Sequence, residues 1–238
     1  AGIASELNTP RSCCIVDMNL QFGAVALVMD IREFAHTVAD AAHEQERLDE
    51  NLLSSFTSNH ESGAAVLPAP LSLQELEGVD PWHLRGVIQT CRKTYEHVVL
   101  DMPHALDDCS LVGLDEADEI LLLCDMALPS IRNTIHALEL FKELDYKQDK
   151  LKLVINRFYD SDQVSLEEIV EHVKLPVFWV IPYDSEVVIS SLNSGETLEA
   201  VDPDSGVARS LMALAQHMAG VTPRIRPKKK RGLFSWVR

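Results

Sequence analysis

A doubly wound α/β domain, with a mostly parallel sheet covered by helices on both faces, is the fold class this sequence predicts, and three observations carry it. Six short apolar runs, at residues 13–16, 64–67, 97–100, 119–124, 151–155 and 177–181, lack the alternation of a half-exposed strand. Parallel strands buried on both faces read this way. Helical patterns with their own start signals lie between the runs. Carboxylate or amide side chains recur just after the runs, at Asp17, Asn19, Asp101, Asp125, Asn156 and Asp184. Open α/β sheets bind ligands beyond the carboxyl ends of their strands, although Asp and Asn also cap helices and make turns there.

The helices can be taken in order. Asp80 followed by Pro81 is a start signal, and Leu84, Val87, Ile88, Cys91 and Tyr95 then form one apolar stripe. Pro129 opens a further helix, and Ser165-x-x-Glu168 is a capping box with Leu166, Ile169, Val170 and Val173 expected inward. Val207, Leu211, Leu214 and Met218 line the last helix. Strand–helix alternation of this kind gives right-handed crossovers. The one composition break, near Gly220, predicts a domain over residues 1–221 and a separate tail over 222–238.

With 238 residues, 46% hydrophobic and 24% charged, the chain can bury a sizeable core. No apolar run approaches the ~20 residues that span a bilayer. The five cysteines show no CxxC spacing, and a reduced thiol set is expected rather than a zinc or disulfide framework. The net charge is −16, yet residues 224–238 hold seven Lys and Arg, so the body carries −23. An acidic body argues against nonspecific nucleic-acid binding. In the tail, Lys228, Lys229, Lys230 and Arg231 precede Leu233, Phe234, Trp236 and Val237. A basic run with an apolar, aromatic tip suits an anionic membrane surface.

The identity of the strand-end segments adds a resemblance. Ile15-Val-Asp-Met-Asn-Leu-Gln-Phe-Gly, His60-Glu-Ser-Gly, Val66-Leu-Pro-Ala-Pro, Val98-Val-Leu-Asp-Met-Pro, Pro129-Ser-Ile-Arg-Asn, Leu153-Val-Ile-Asn-Arg and Ile181-Pro-Tyr-Asp occur in this order. The series resembles ParA/MinD-type P-loop ATPases, and in particular their Tad/Cpa pilus-assembly branch (TadZ/CpaE-like). That resemblance implies ATP and Mg2+ as cofactors in a complete protein, a homodimer, pilus and secretion assembly proteins as partners, and a cytoplasmic location peripheral to the inner face of the membrane. Onto this chain it places Asp101 at the metal, Asp17 and Asn19 near the attacking water, and Asn156, Pro182 and Asp184 around the base. An amide at Asn156 offers both the donor and the acceptor that an adenine edge needs. Asp184 reads equally well as a helix cap, and Ser130, Arg132 and Asn133, which resemble a branch-specific helix start, as a partner or dimer contact or an exposed helix face. A non-hydrolysing adaptor of the same fold, or a chromosome- or plasmid-partitioning relative, are the alternative functions.

Two departures stand out. The family usually carries Asp where this chain has Asn19, and an amide cannot accept a proton, which leaves hydrolysis open. No GxxxxGK[ST] or KGGxGK loop occurs in the sequence. Such a loop cradles phosphates with its backbone N–H groups and Lys, so poor ATP binding is expected of this chain. The sequence is expected to lack the family's first strand, leaving a gap in the sheet with unpaired backbone groups on both sides.

Overall fold

A computed structural model describes residues 1–7, 9, 11–159 and 164–221. The strands are β1 (Cys13–Asp17), β2 (Ser58–Asn59), β3 (Ala65–Leu67), β4 (His97–Asp101), β5 (Ile120–Cys124), β6 (Leu151–Phe158) and β7 (Val177–Pro182). The helices are α1 (Gly2–Leu7), α2 (Val25–Val28), α3 (Val38–His43), α4 (Glu50–Phe56), α5 (Pro81–Thr94) and α6 (Asp108–Glu116). They continue with α7 (Leu128–Glu143), α8 (Leu166–Val173), α9 (Ser185–Ser194), α10 (Leu198–Val201) and α11 (Gly206–Met218). All six apolar runs form strands, and β2, a short polar edge strand, was not foreseen.

The start signals act as expected. Asp80 N donates to His83 Nδ1 at 2.9 Å ahead of Pro81, and Glu168 N donates to Ser165 Oγ at 3.2 Å. One inward assignment is corrected. Ile169 and Val173, four apart, form the buried seam of α8, while Val170 is 37% exposed. It lies about 100° around the helix from Ile169, off that narrow stripe.

The strands form two sheets, in the orders β2-β3-β1-β4 and β5-β6-β7. Every pairing is parallel except that of β2 with β3. The register sets Asp17 opposite Asp101 and Cys124 opposite Ile155. β4 and β5 are thus the outer strands of separate sheets, and both line one cavity of about 2010 Å³, from His97 to Asp101 and from Ile120 to Leu123. The expected gap is present as this slot.

Two apolar cores flank it. One gathers Cys14, Val16, Leu53, Leu67, Leu84 and Ile88 beneath α3, α4 and α5; the other gathers Leu153, Ile155, Ile169 and Phe141 beneath α7 and α8. Met102 touches both. On one face of the slot α1 lies on α11, so close that a Cβ added at Gly2 would sit 3.0 Å from Ala215 Cβ. On the other, the end of α6 ties the halves together. Arg85 of α5 holds Glu116 at 2.6 Å and Asp115 at 2.9 Å, while Tyr146 Oη donates to Asp115 at 2.7 Å. Lys150 Nζ donates to the Leu114 carbonyl at 2.6 Å, a cation on a helix carboxyl end.

All five cysteines are free, four of them buried. The basic and apolar tail residues Lys228, Lys229, Lys230, Arg231, Leu233, Phe234, Trp236 and Val237 lie outside the described residues.

Candidate functional site

Each strand-end residue singled out in the body sits at the carboxyl edge of the sheets. Asp17 closes β1 and is 1% exposed. Its carboxylate is taken up by its own loop: Asn19 N donates to Oδ1 and Val25 N to Oδ2, each at 3.1 Å. Gly23 presses on the same group, and a Cβ there would lie 2.5 Å from Asp17 Oδ2 and 2.3 Å from Ala69 Cβ. Burial raises the Asp17 pKa against the donation from Val25, and the neighbouring Asp101 raises it further.

Asn19 serves a turn. Its Nδ2 donates to the Phe22 carbonyl at 3.2 Å and its Oδ1 accepts from Phe22 N at 3.4 Å. Both ends of the amide are therefore engaged locally, an arrangement in which an ionised Asp, acceptor only, could make just one of the two bonds.

Asp101 ends β4 with its side chain exposed at the mouth of the slot, and partial loss of water raises its pKa. Its carbonyl accepts from Met18 N at 2.9 Å, which ties the loop after β1 to β4. Asp125, after β5, orders its own turn, accepting from Ala127 N at 3.0 Å while its N–H donates to Ser130 Oγ at 3.0 Å.

The second sheet supplies the remaining candidates. Asn156 stands where β6 breaks register against β7, between Ile155 and Phe158. Its Oδ1 accepts from Arg157 N at 3.0 Å, and Arg157 has the left-handed φ of 53° that makes the kink. Pro182 ends β7, and a Cβ on Gly206 would meet its Cγ at 3.4 Å. Asp184 caps α9, accepting from Val187 N at 3.2 Å, which is its structural reading. Arg132 and Asn133 lie on the exposed face of α7, with Leu128 and His136 beside them along a surface cavity of about 750 Å³.

Sequence reasoning missed Tyr159 and Tyr183, each one residue beyond a strand end. Their rings meet edge to face at 6.3 Å, and both are more than half exposed beside Asn156 and Pro182. The signal was present, since an aromatic side chain just past the end of a strand offers a flat face to a ligand.

The structure thus brings Asp17 to Asp101 and sets Asn156 and Pro182 on the paired strands β6 and β7, with the slot between the two sets. Among the described residues no three potential metal ligands converge. One exposed carboxylate suits an ion held mainly by water and a ligand's own oxygens. Asp101 and Asn156 are donors of the types that an ion and a base take, and the sequence holds no GxxxxGK[ST] loop.

The fold is that of ParA/MinD-type P-loop ATPases. A ParA family ATPase from Chlorobium tepidum TLS superposes with a TM-score of 0.82 at 22% identity, over 91% of this chain and 92% of that one. The septum site-determining protein MinD of Pyrococcus horikoshii OT3, solved with Mg-ADP, gives 0.76 at 19% identity over 92% and 88%. By sequence, an uncharacterized ATP-binding protein of Methanocaldococcus jannaschii is 25% identical over 173 residues, 72% of this chain and 64% of its own length, under two thirds of that protein. MinD of Bacillus subtilis is 18% identical over 236 residues, 96% of this chain and 86% of its own length. No family model matches.

Proposed function

We propose that this chain is the body of a ParA/MinD-type positioning protein, which in complete form binds ATP with magnesium, dimerises and works at the anionic inner face of the cytoplasmic membrane. The observation that carries the reading is the placement of Asp17 and Asp101 at the carboxyl ends of adjacent parallel strands, with Asn156 and Pro182 across the slot. In this reading Asp101 faces the magnesium through water, and Asn156 with Pro182 borders the base. Asp17 holds the loop over residues 19–25 in place and is not free to act on a substrate. ATP would supply the binding energy and the charge that these groups sense.

The septum-site and plasmid-partition names of similar proteins support a partitioning or cell-division role better than a pilus-specific one. The narrower Tad/Cpa assignment, with pilus and secretion proteins as partners, rests on the motif series alone. The −23 body works against DNA as the docking surface. One observation favours a non-hydrolysing variant: the Asn19 amide is already committed to its turn.

Calorimetry with ATP-magnesium tests the reading. This 238-residue chain should bind weakly, and submicromolar affinity would overturn the need for a phosphate loop. In a version carrying such a loop upstream, Asp101→Ala and Asn156→Ala should each weaken binding at least tenfold; unchanged affinity in both removes the site. Asn19→Asp in that version should raise phosphate release with little change in affinity.

A further inference from the structure

Given the nucleotide reading, on which this rests, we infer that the base side of the site takes 6-oxopurine nucleotides, guanine nucleotides among them, as readily as adenine nucleotides.

An Asn that singles out adenine uses both ends of its amide, the carbonyl for the 6-amino group and Nδ2 for a ring nitrogen. In this chain the carbonyl end is occupied. Oδ1 of Asn156 accepts from Arg157 N at 3.0 Å, and a backbone N–H as donor fixes which end of the amide is which. The two ends diverge from one carbon, so with Oδ1 turned to the backbone, Nδ2 is the end left for a ligand. The bond belongs to the fold. It sits at the register break between Ile155 and Phe158, where Arg157 holds a left-handed φ of 53° that a residue with a Cβ adopts only under constraint.

Neighbouring acceptors are also bonded within the fold. The Phe158 carbonyl takes Tyr183 N at 2.7 Å, and Asp184 takes Val187 N at 3.2 Å as the cap of α9. In adenine the N7 acceptor stands beside an amino donor, whereas in guanine it stands beside the O6 acceptor. The two Nδ2 hydrogens of Asn156 therefore match both acceptors of a 6-oxopurine and only one of adenine.

The rings nearby add contact without choice. Tyr159 and Tyr183 are 54% and 55% exposed, and their centroids lie 6.3 Å apart at an interplanar angle of 68°. An edge-to-face pair leaves ring face open on its outer side. Stacking on such a face tolerates any base, because every base has a π-face. The phosphates and their ion are the same in all purine triphosphates, so Asp101 does not discriminate either.

Displacement of a ribose-labelled fluorescent ATP from the version carrying a phosphate loop upstream tests this. Inosine and guanosine triphosphates should compete within about threefold of ATP. Asn156→Asp keeps an acceptor for Arg157 N but offers no donor, and should weaken both relative to ATP by about tenfold or more. Tyr183→Ala should weaken all three alike, by about fivefold or more. ATP binding more than about tenfold tighter than both 6-oxopurine nucleotides would overturn the inference, as would Asn156→Asp leaving the ratios unchanged. In those two cases the nucleotide reading survives. If the labelled ATP itself fails to bind, that reading falls and the inference with it.

Discussion

Gly23→Ala should destabilise the protein by about 2–3 kcal/mol, although the substitution adds one methyl on the surface side of a loop. The added Cβ would lie 2.3 Å from Ala69 Cβ and 2.5 Å from Asp17 Oδ2. Neither neighbour is the free end of a flexible side chain: Ala69 is buried at 7% and Asp17 at 1%. The loop has two responses. It can absorb the overlap, at the ~1–3 kcal/mol usual for overpacking. It can instead lift away, losing the Asn19 and Val25 donations to a charged acceptor, bonds worth ~1.5–3 kcal/mol each before water repairs part of the loss. Both routes converge on the same range, which for a chain of this size lowers Tm by roughly 4–12 °C. Gly86→Ala is the control. Its Cβ also meets atoms at 2.3 Å, but they belong to the mobile Gln45 side chain, and Ala gains ~1 kcal/mol of helix propensity in α5. Thermal melts by circular dichroism read both variants. A Gly23→Ala protein melting within about 1 °C of the parent would refute the close packing of the loop on Asp17.

Tyr146→Phe removes a 2.7 Å donation to a carboxylate and should cost about 1 kcal/mol by urea denaturation. The Tyr146 pKa is raised by burial and by the Asp115 bond, so the hydroxyl keeps its proton throughout the neutral range. Asp115 is held low, first by Tyr146 and then by Arg85, so its stabilisation is present above about pH 3.9 and fades as pH falls through its lowered folded value. Asp101 behaves oppositely. Its folded pKa is raised, so stability is full below about pH 3.9 and declines as pH rises through the folded value; Asp101→Asn should flatten that decline in melts taken across pH 4–7. Anionic vesicles should co-sediment the chain at moderate salt, and Phe234→Ala with Trp236→Ala should weaken this strongly; intact binding by the double variant would leave electrostatic attraction alone.

The strands were legible because a central parallel strand has no solvent face, and runs such as Leu153-Val-Ile can be little else. β2 was not, because Ser58 and Asn59 pair only through their backbones at a sheet edge. The strand-end carboxylates were visible as candidates, yet their duties needed coordinates. The resemblance places Asp17 near the attacking water, whereas its burial and its bonds to the loop that follows β1 are visible only in the structure. Asn19-x-x-Phe22 could have been read as a side-chain-closed turn, since Asn bonds readily to backbone nearby. Asn156 makes a similar point, because the kink beside it depends on Arg157 adopting a left-handed φ that no residue type other than Gly advertises.

The contact of Gly2 with Met212 and Ala215 joins α1 to α11, the first and last helices among the described residues. A six-residue helix has negligible stability alone. During synthesis α1 leaves the ribosome about 210 residues before its partner, and at 5–20 residues per second it waits ~10–40 s for a surface to fold against. Through that interval α1 lacks the helix it packs on, and the emergence of α11 supplies it. α11 therefore completes the surface that α1 packs on, and a chain that stops before residue 212 lacks both Met212 and Ala215, against which Gly2 lies.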